Sequence, residues 1–71
     1  MEVDARGLKC PLPIVRLTQA VRKADAGDEI SVRADDPAFE PDVHAWCRKT
    51  GNALVSLAQD AGDTVVVIRK V

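Results

Sequence analysis

Apolar and polar residues follow two different periods along the chain, and each change of period predicts a boundary between a strand and a helix. Strict alternation is typical of a strand with one buried face, and apolar spacing of three to four residues is typical of an amphipathic helix. The predicted strands cover residues 2–5, 29–34, 53–58 and 64–68. The predicted helices cover about 11–25 and from about 40 or 41 to 50.

Each predicted helix has an apolar face and local start and stop signals. Proline suits a first helical turn because it lacks an N–H, and Pro11 and Pro41 stand there. Gly27 and Gly51 supply the stops. The two apolar faces are Ile14, Leu17, Val21 and Ala24 in the first helix and Phe39, Val43, Trp46 and Cys47 in the second.

The last strand differs from the others because four β-branched residues follow one another over 65–68. Such a run predicts a strand that is internal to the sheet and buried on both faces. Residues 60–63 predict a hairpin turn before it. The element order is β-α-β-α-β-β, and a right-handed β-α-β crossover puts the first helix on one face of the sheet. We therefore predict an α/β fold, an α+β two-layer sandwich with two helices on one face of a four-stranded mixed sheet, as a single domain over 1–71.

Size and charge exclude several classes of function. Ten lysines and arginines balance eleven acidic residues, so the chain lacks the basic surface of a nucleic-acid-binding protein. Phe39 and Trp46 are its aromatic residues, too few for base stacking. No segment resembles a signal peptide or the roughly 20-residue apolar span of a membrane helix. We expect a cytoplasmic monomer that binds neither nucleic acid nor membrane and keeps its two cysteines as free thiols.

The block Cys10-Pro11-Leu12-Pro13 carries the clearest chemical signal. Two prolines in three residues mark a helix start, so Cys10 lies at the N-cap or just before it. The positive end of the helix dipole favours a thiolate there. Gly7 belongs to the turn, residues 6–9, that leads to Cys10. We therefore predict that Cys10 is a nucleophile rather than a core residue.

The same prolines limit the effect of the helix start on the thiol. They remove two backbone donors, which leaves the Leu12 N–H, the dipole and the cations Lys9 and Arg6. We expect these groups to lower the pKa of Cys10 only moderately. The spacing is that of a C-x-x-C redox motif with Pro13 in place of the second cysteine. Without a resolving thiol, a sulfur atom on Cys10 is not stripped off as a local disulfide, which favours sulfur carriage over electron exchange.

Asp36 lies in the sequence Asp35-Asp36-Pro37 and has two interpretations. It is a turn residue whose side chain caps its own backbone, or it lies near Cys10 and contacts partner proteins. The second follows because parallel first and second strands end at the same edge of the sheet, where the first helix begins. Both interpretations stay open.

Cys47 and His44 are assigned structural roles. Cys47 lies one helical turn from Val43 on the apolar face, which favours packing. His44 shares the polar face with Glu40 and Arg48 and is expected in solvent. His44 and Cys47 could supply two ligands, but a closed zinc site needs four, so we expect no metal. We also expect no cofactor.

The segment Asp4-Ala5-Arg6-Gly7-Leu8-Lys9-Cys10-Pro11-Leu12-Pro13 resembles the opening of the TusA/SirA-like sulfur-carrier family. The resemblance continues through 27–28, 35–38, 46–47 and 51–54. It implies two helices on a mixed sheet of strand order 1-2-4-3 and a persulfide on Cys10. It also implies a cysteine desulfurase or rhodanese-type enzyme as sulfur donor. The implied acceptors are DsrE-like relay proteins, the pathway to 2-thiouridine in transfer RNA, or sulfur oxidation.

We therefore predict a sulfurtransferase-like carrier that accepts persulfide sulfur on Cys10 and relies on partner enzymes, because no general base is recognisable in the chain. One alternative is a thiol-independent protein-interaction or regulatory module, in which the proline block is only a stiff helix start. Another is a monothiol redox protein that is oxidised or glutathionylated at Cys10. The residues predicted to support Cys10 are Gly7, Lys9, Pro11, Pro13 and Asp36.

Overall fold

The computed structural model describes all 71 residues and contains four strands and two helices. The elements are β1 (Glu2–Asp4), α1 (Leu12–Lys23), β2 (Glu29–Ala34), α2 (Phe39–Thr50), β3 (Ala53–Asp60) and β4 (Asp63–Arg69). The order β-α-β-α-β-β and the mixed sheet confirm the predicted fold class. Neither helix has the length and apolar character that crossing a membrane requires.

The strands form one sheet in the order β1-β2-β4-β3. β1 and β2 are parallel, with Val3 opposite Val32, and α1 connects them. β4 is antiparallel to both β2 and β3, so it is internal as predicted. The strand order is the one that the family resemblance implies.

The core lies between the sheet and the two helices. Alternate residues of β2 and β4 face the helices and are buried, while Val65 and Val67 on the other face of β4 are only half-buried. The prediction that β4 is buried on both faces is therefore wrong. Both helices cover the same face, and the β-branched run provides β-propensity without a second covering layer. The largest fully buried side chains are Phe39, Leu17, Ile30, Ile68, Val32, Val43, Val66 and Pro13.

The two helices lie side by side and are joined by a polar contact. Trp46 donates its indole Nε1–H to Thr18 Oγ1 at 3.2 Å. The apolar face predicted for α1 is confirmed at Leu17, Val21 and Ala24, and it also includes Ala20. Ile14 was predicted on this face but is only half-buried, because it lies beside the groove between the helices.

Parallel pairing brings the segments after β1 and β2 to one edge of the sheet. The Ala5 N–H donates to the Arg33 carbonyl at 2.8 Å, which continues the pairing past β1. The Gly7 N–H donates to both carboxylate oxygens of Asp35, at 3.0 and 3.1 Å. These bonds fix the turn that leads into α1, and they place its start beside the β2–α2 loop.

Candidate functional site

Cys10 is exposed and lies two residues before the first residue of α1. Pro11 occupies the N-cap position, so of the two predicted placements the one just before the cap is confirmed. The Cys10–Pro11 peptide bond is cis. No side chain caps the helix start. The thiol therefore lies at the surface of the molecule, beside the start of α1, rather than in the core.

Two carboxylates, one from the β2–α2 loop and one from α2, accept hydrogen bonds from Cys10. The Sγ–H donates to Asp42 Oδ2 at 2.8 Å, and the backbone N–H donates to Asp36 Oδ2 at 2.6 Å. The Leu12 N–H, which was expected to face the sulfur, donates to the Lys9 carbonyl at 2.8 Å instead. The hydrogen-bond partners of Cys10 are therefore negatively charged acceptors, whereas backbone donors and cations were expected beside the sulfur.

These carboxylates raise the pKa of the Cys10 thiol above its ordinary value. The hydrogen bond to Asp42 is the largest cause, followed by desolvation and the negative charges of Asp42 and Asp36. The expected moderate lowering of this pKa is therefore wrong. Of the two cations expected to act on Cys10, Arg6 pairs with Asp4 at 2.9 Å, and the charge of Lys9 acts on Asp36.

Asp36 is both a turn residue and a neighbour of Cys10. Its Oδ1 accepts the Ala38 N–H at 3.2 Å, the cap predicted for the turn, while Oδ2 accepts the Cys10 N–H. The two backbone hydrogen bonds, Cys10 first, hold the pKa of this carboxyl below its ordinary value. Its contact with partner proteins stays a prediction.

A shallow groove between the start of α1 and the middle of α2 begins at Cys10. Its apolar part includes Ile14 and Trp46, while Asp42 and Lys49 are its charged residues. On α1, Leu12 and Val15 are also exposed, at 49% and 41%. The exposed Cys10 thiol is therefore bordered by apolar side chains from both helices.

The other predicted residues occupy different surroundings. Gly7 has a φ of +80°, which a glycine adopts without strain, and Lys9 and Pro11 are exposed. Pro13 is buried, so its contact is with the core. All four are placed near Cys10 by the chain itself, and their roles in chemistry stay predictions.

Cys47 and His44 lie on the faces of α2 that the sequence pattern predicts. Cys47 is half-buried against the core, and burial raises the pKa of its thiol. His44 is exposed. The structure brings no three histidine, cysteine or acidic side chains together as metal ligands.

Asp42 is the site residue that the sequence did not predict. It is 32 positions from Cys10 and comes close only through the packing of α2 beside α1. In the sequence it appears as an acidic residue in the first turn of a helix, a common and stabilising position. That signal alone gives no reason to connect it with the cysteine.

Comparisons with known proteins agree with one another. Residues 1–70 match the family model described as sulfurtransferase TusA. The sulfur carrier protein TusA of Pseudomonas putida KT2440 is 40% identical over 68 residues, covering 96% of this chain and 85% of the relative. A putative sulfur carrier protein of Aquifex aeolicus is 37% identical over 68 residues, but the match covers 96% of this chain and only 34% of that protein.

The fold also matches a solved structure. The crystal structure of a SirA-like protein from Desulfitobacterium hafniense superposes with a TM-score of 0.83 at 25% identity. The match covers 97% of this chain and 96% of that protein. The similarity therefore extends over the whole sandwich, including the edge that holds Cys10.

Proposed function

Because this chain belongs to the sulfurtransferase TusA family, we propose that it is a sulfur carrier that accepts sulfane sulfur on Cys10 and passes it to acceptor proteins. The observation that carries the proposal is the exposure of the Cys10 thiol at a corner of the fold. A partner protein can reach a sulfur atom at that position without any opening of the core. The second cysteine is half-buried on α2.

Loading is a nucleophilic displacement at sulfur. Cys10 Sγ attacks the outer sulfur of the donor persulfide, and the new Sγ–S bond forms as the S–S bond of the donor breaks. The electron pair of that bond stays on the inner sulfur of the donor, which leaves as a thiol once it takes the Cys10 proton. Unloading repeats the displacement with the Cys10 persulfide as donor, so no external oxidant or reductant is needed.

Partner enzymes drive both steps in this proposal. The raised pKa leaves Cys10 mainly as a thiol near neutral pH, so nucleophilicity must develop in the complex with the donor. The proposed donor is a cysteine desulfurase or a rhodanese-type enzyme, and the proposed acceptor is a DsrE-like or other relay protein. Transfer RNA thiolation and sulfur oxidation are the two destinations that the family implies.

Residues 1–71 are proposed to act as one carrier domain, since one core cluster joins both helices to the sheet. The proposed location is the cytoplasm.

The first test is intact mass after anaerobic incubation with a cysteine desulfurase and cysteine. We expect the wild-type protein to gain one sulfur atom on Cys10 and Cys10→Ser to gain none. The serine hydroxyl can donate to Asp42 as the thiol does, so the fold should persist, which circular dichroism checks. Sulfur on Cys10→Ser at wild-type levels would contradict the assignment of Cys10.

A parallel incubation with oxidised glutathione separates the alternatives. A glutathione adduct without sulfur loading would indicate a monothiol redox protein. No mass change under either condition would indicate an interaction module that does not use its thiol. The matched control is Cys47→Ala, which removes the other cysteine and should load like wild type.

A further inference from the structure

Asp42 is the side chain that binds the Cys10 sulfur, and no cation forms an ion pair with it. The Sγ–H donates to its Oδ2 at 2.8 Å. None of the four ion pairs of the protein includes Asp42, and no other side-chain hydrogen bond reaches its carboxylate. The negative charge is therefore directed at a group that itself becomes negative when it ionises.

We propose that Asp42 is a load-sensitive latch, which holds the empty Cys10 as a thiol against α2 and releases it once Sγ carries a second sulfur. The inference rests on the proposed function, because it concerns the same cysteine. Asp42 is a positioning residue in this role.

The latch depends on the single proton of the thiol. An ionised carboxylate only accepts hydrogen bonds, and the empty Sγ has one proton to donate. In the persulfide, Sγ is bonded to Cβ and to the outer sulfur, so it has no proton left. A persulfide is also a stronger acid than a thiol, and the charge on its outer sulfur is repelled by Asp42. Loading thus converts an attraction into a repulsion.

The proton that the latch holds is accounted for in the loading step. Sγ gains a bond to the outer sulfur of the donor, and the donor keeps the electron pair of its broken S–S bond. The thiol proton leaves its hydrogen bond with Asp42 and ends on the thiolate that the donor releases. Asp42 is a carboxylate before and after the step.

Four charged residues surround Cys10. α2 contributes Asp42 and Lys49, the β2–α2 loop contributes Asp36, and the turn before α1 contributes Lys9. Neither lysine forms an ion pair with a carboxylate within 4.0 Å. The two carboxylates are hydrogen-bonded to Cys10, and their effect dominates. An exposed thiol held in this way reacts slowly with stray electrophiles, because the thiolate is the nucleophile.

The first experiment measures the empty protein. Iodoacetamide alkylation of Cys10, located by peptide mapping, is followed against pH for wild type, Asp42→Asn and Glu40→Gln. Glu40→Gln removes the same charge from the same turn of α2 without a contact to Cys10. We expect Asp42→Asn to lower the pH midpoint by roughly 0.7 of a unit or more, because one charge about 4 Å away in water has that effect and the weaker hydrogen bond to a neutral amide adds to it.

The rate of Cys10 alkylation at neutral pH is the second quantity to compare between the variants. The higher thiolate fraction is partly offset by the weaker nucleophilicity of a less basic thiolate, so Asp42→Asn should react about twofold to threefold faster. Glu40→Gln should match wild type in midpoint and rate. A midpoint for Asp42→Asn equal to that of wild type would overturn the latch.

The second experiment measures the loaded protein. Wild type and Asp42→Asn are loaded anaerobically with inorganic polysulfide, and the pH profile of the outer sulfur is measured in the same way. The midpoint difference between the two proteins should be smaller than in the empty pair, because the hydrogen bond is gone. Equal differences in the empty and loaded pairs would overturn the load sensing.

The outcomes separate the two proposals. A wild-type protein that takes no sulfur from polysulfide or from a desulfurase overturns the proposed function, and the load-sensing role of Asp42 fails with it. A protein that loads normally but shows equal midpoint differences overturns the latch and leaves the sulfur carrier standing.

Discussion

At the scale of single residues, the two cysteines show how different surroundings can produce the same direction of pKa shift. Cys10 is exposed, and its thiol is held by the Asp42 carboxylate. Cys47 is half-buried, and desolvation alone raises the pKa of its thiol. The direction of the pKa shift therefore does not distinguish the proposed carrier thiol from the thiol predicted to pack in the core. Their exposure does, because Cys10 is exposed and Cys47 is half-buried.

Cys47→Ala tests the packing role. The substitution should leave sulfur loading on Cys10 unchanged and lower the free energy of unfolding by about 1 kcal/mol, because it removes one partly buried sulfur atom from the core. Urea unfolding and intact mass after loading measure the two effects. A variant with wild-type stability that cannot be loaded would show that Cys47 is a relay thiol.

Asp36→Ala tests whether the second carboxylate serves a partner. The charge of Asp36 is the smallest cause of the raised pKa of Cys10, so the alkylation midpoint should fall less than in Asp42→Asn. Transfer to or from a protein partner should slow, because the variant loses a carboxylate that lies beside Cys10 on the proposed docking surface. The matched control is Glu40→Ala, which removes a charge from the first turn of α2 at a residue with no side-chain hydrogen bond or ion pair. Partner kinetics equal to wild type would leave Asp36 as a turn residue only.

The candidate site could be predicted from the sequence where it depends on local structure. The proline block places Cys10 at the start of a helix, and parallel strands place Asp36 at the same edge. The pKa direction was wrong because it depends on contacts across the fold. Asp42 approaches the sulfur through the packing of α2, and Arg6 is taken by Asp4. No local pattern encodes those distances.

At the scale of elements, regular segments were easier to predict than their ends. β2 is Glu29–Ala34 as predicted, because alternation and its flanking turns are both clear. α2 begins at Phe39, one or two residues before the predicted start at 40 or 41. β3 and β4 extend further than predicted, because they pair from Ala53 opposite Arg69 to Asp60 opposite Asp63. The ends of two paired strands depend on how far both can pair, so the sequence of one strand alone does not predict its last residue.

The β3–β4 turn offers a stabilising substitution. Ala61 has a φ of +52° and Gly62 a φ of +86°, so both central residues are in the left-handed region. This backbone suits Asn-Gly in a two-residue hairpin and is unfavourable for alanine. Ala61→Asn should raise the free energy of unfolding by roughly 0.5–1 kcal/mol, measured by urea unfolding. Ala61→Val should lower it, since a β-branched residue resists positive φ. A less stable Asn variant would contradict this account.

At the scale of the whole molecule, the site and the open sheet face are separate. The helices cover one face, and the other face has charged pairs around the half-buried valines of β4. Arg33 contacts Asp60 at 2.7 Å and Asp63 at 2.9 Å, and Arg69 contacts Glu29 at 3.0 Å. Cys10 lies at the edge where α1 begins. The Cys10 thiol is therefore not part of the open face.

Stability should form a plateau across neutral pH and fall on both sides. The hydrogen bond from Arg6 lowers the pKa of Asp4 from 3.8 to about 2, and the pKa of Asp36 is also lowered. A carboxyl with a lowered folded pKa stabilises the fold above its unfolded value, and the contribution disappears as pH falls through the folded value. The urea midpoint should therefore decrease between about pH 4 and pH 2.

The decrease in stability at alkaline pH follows from pKa values that are raised, rather than lowered, in the folded state. Both cysteine thiols have a pKa raised above 9.0, so they stabilise the fold below that pH and lose the contribution as pH rises through the folded values. The measurement is the urea midpoint from pH 2 to pH 11 under reducing, anaerobic conditions. Asp36→Asn should flatten the acid slope, and Cys47→Ala should flatten the alkaline slope. A midpoint that rises above pH 9 would mean that the thiolates are favoured in the folded state. In that case the Asp42 carboxylate would not keep Cys10 protonated, as the proposed latch requires.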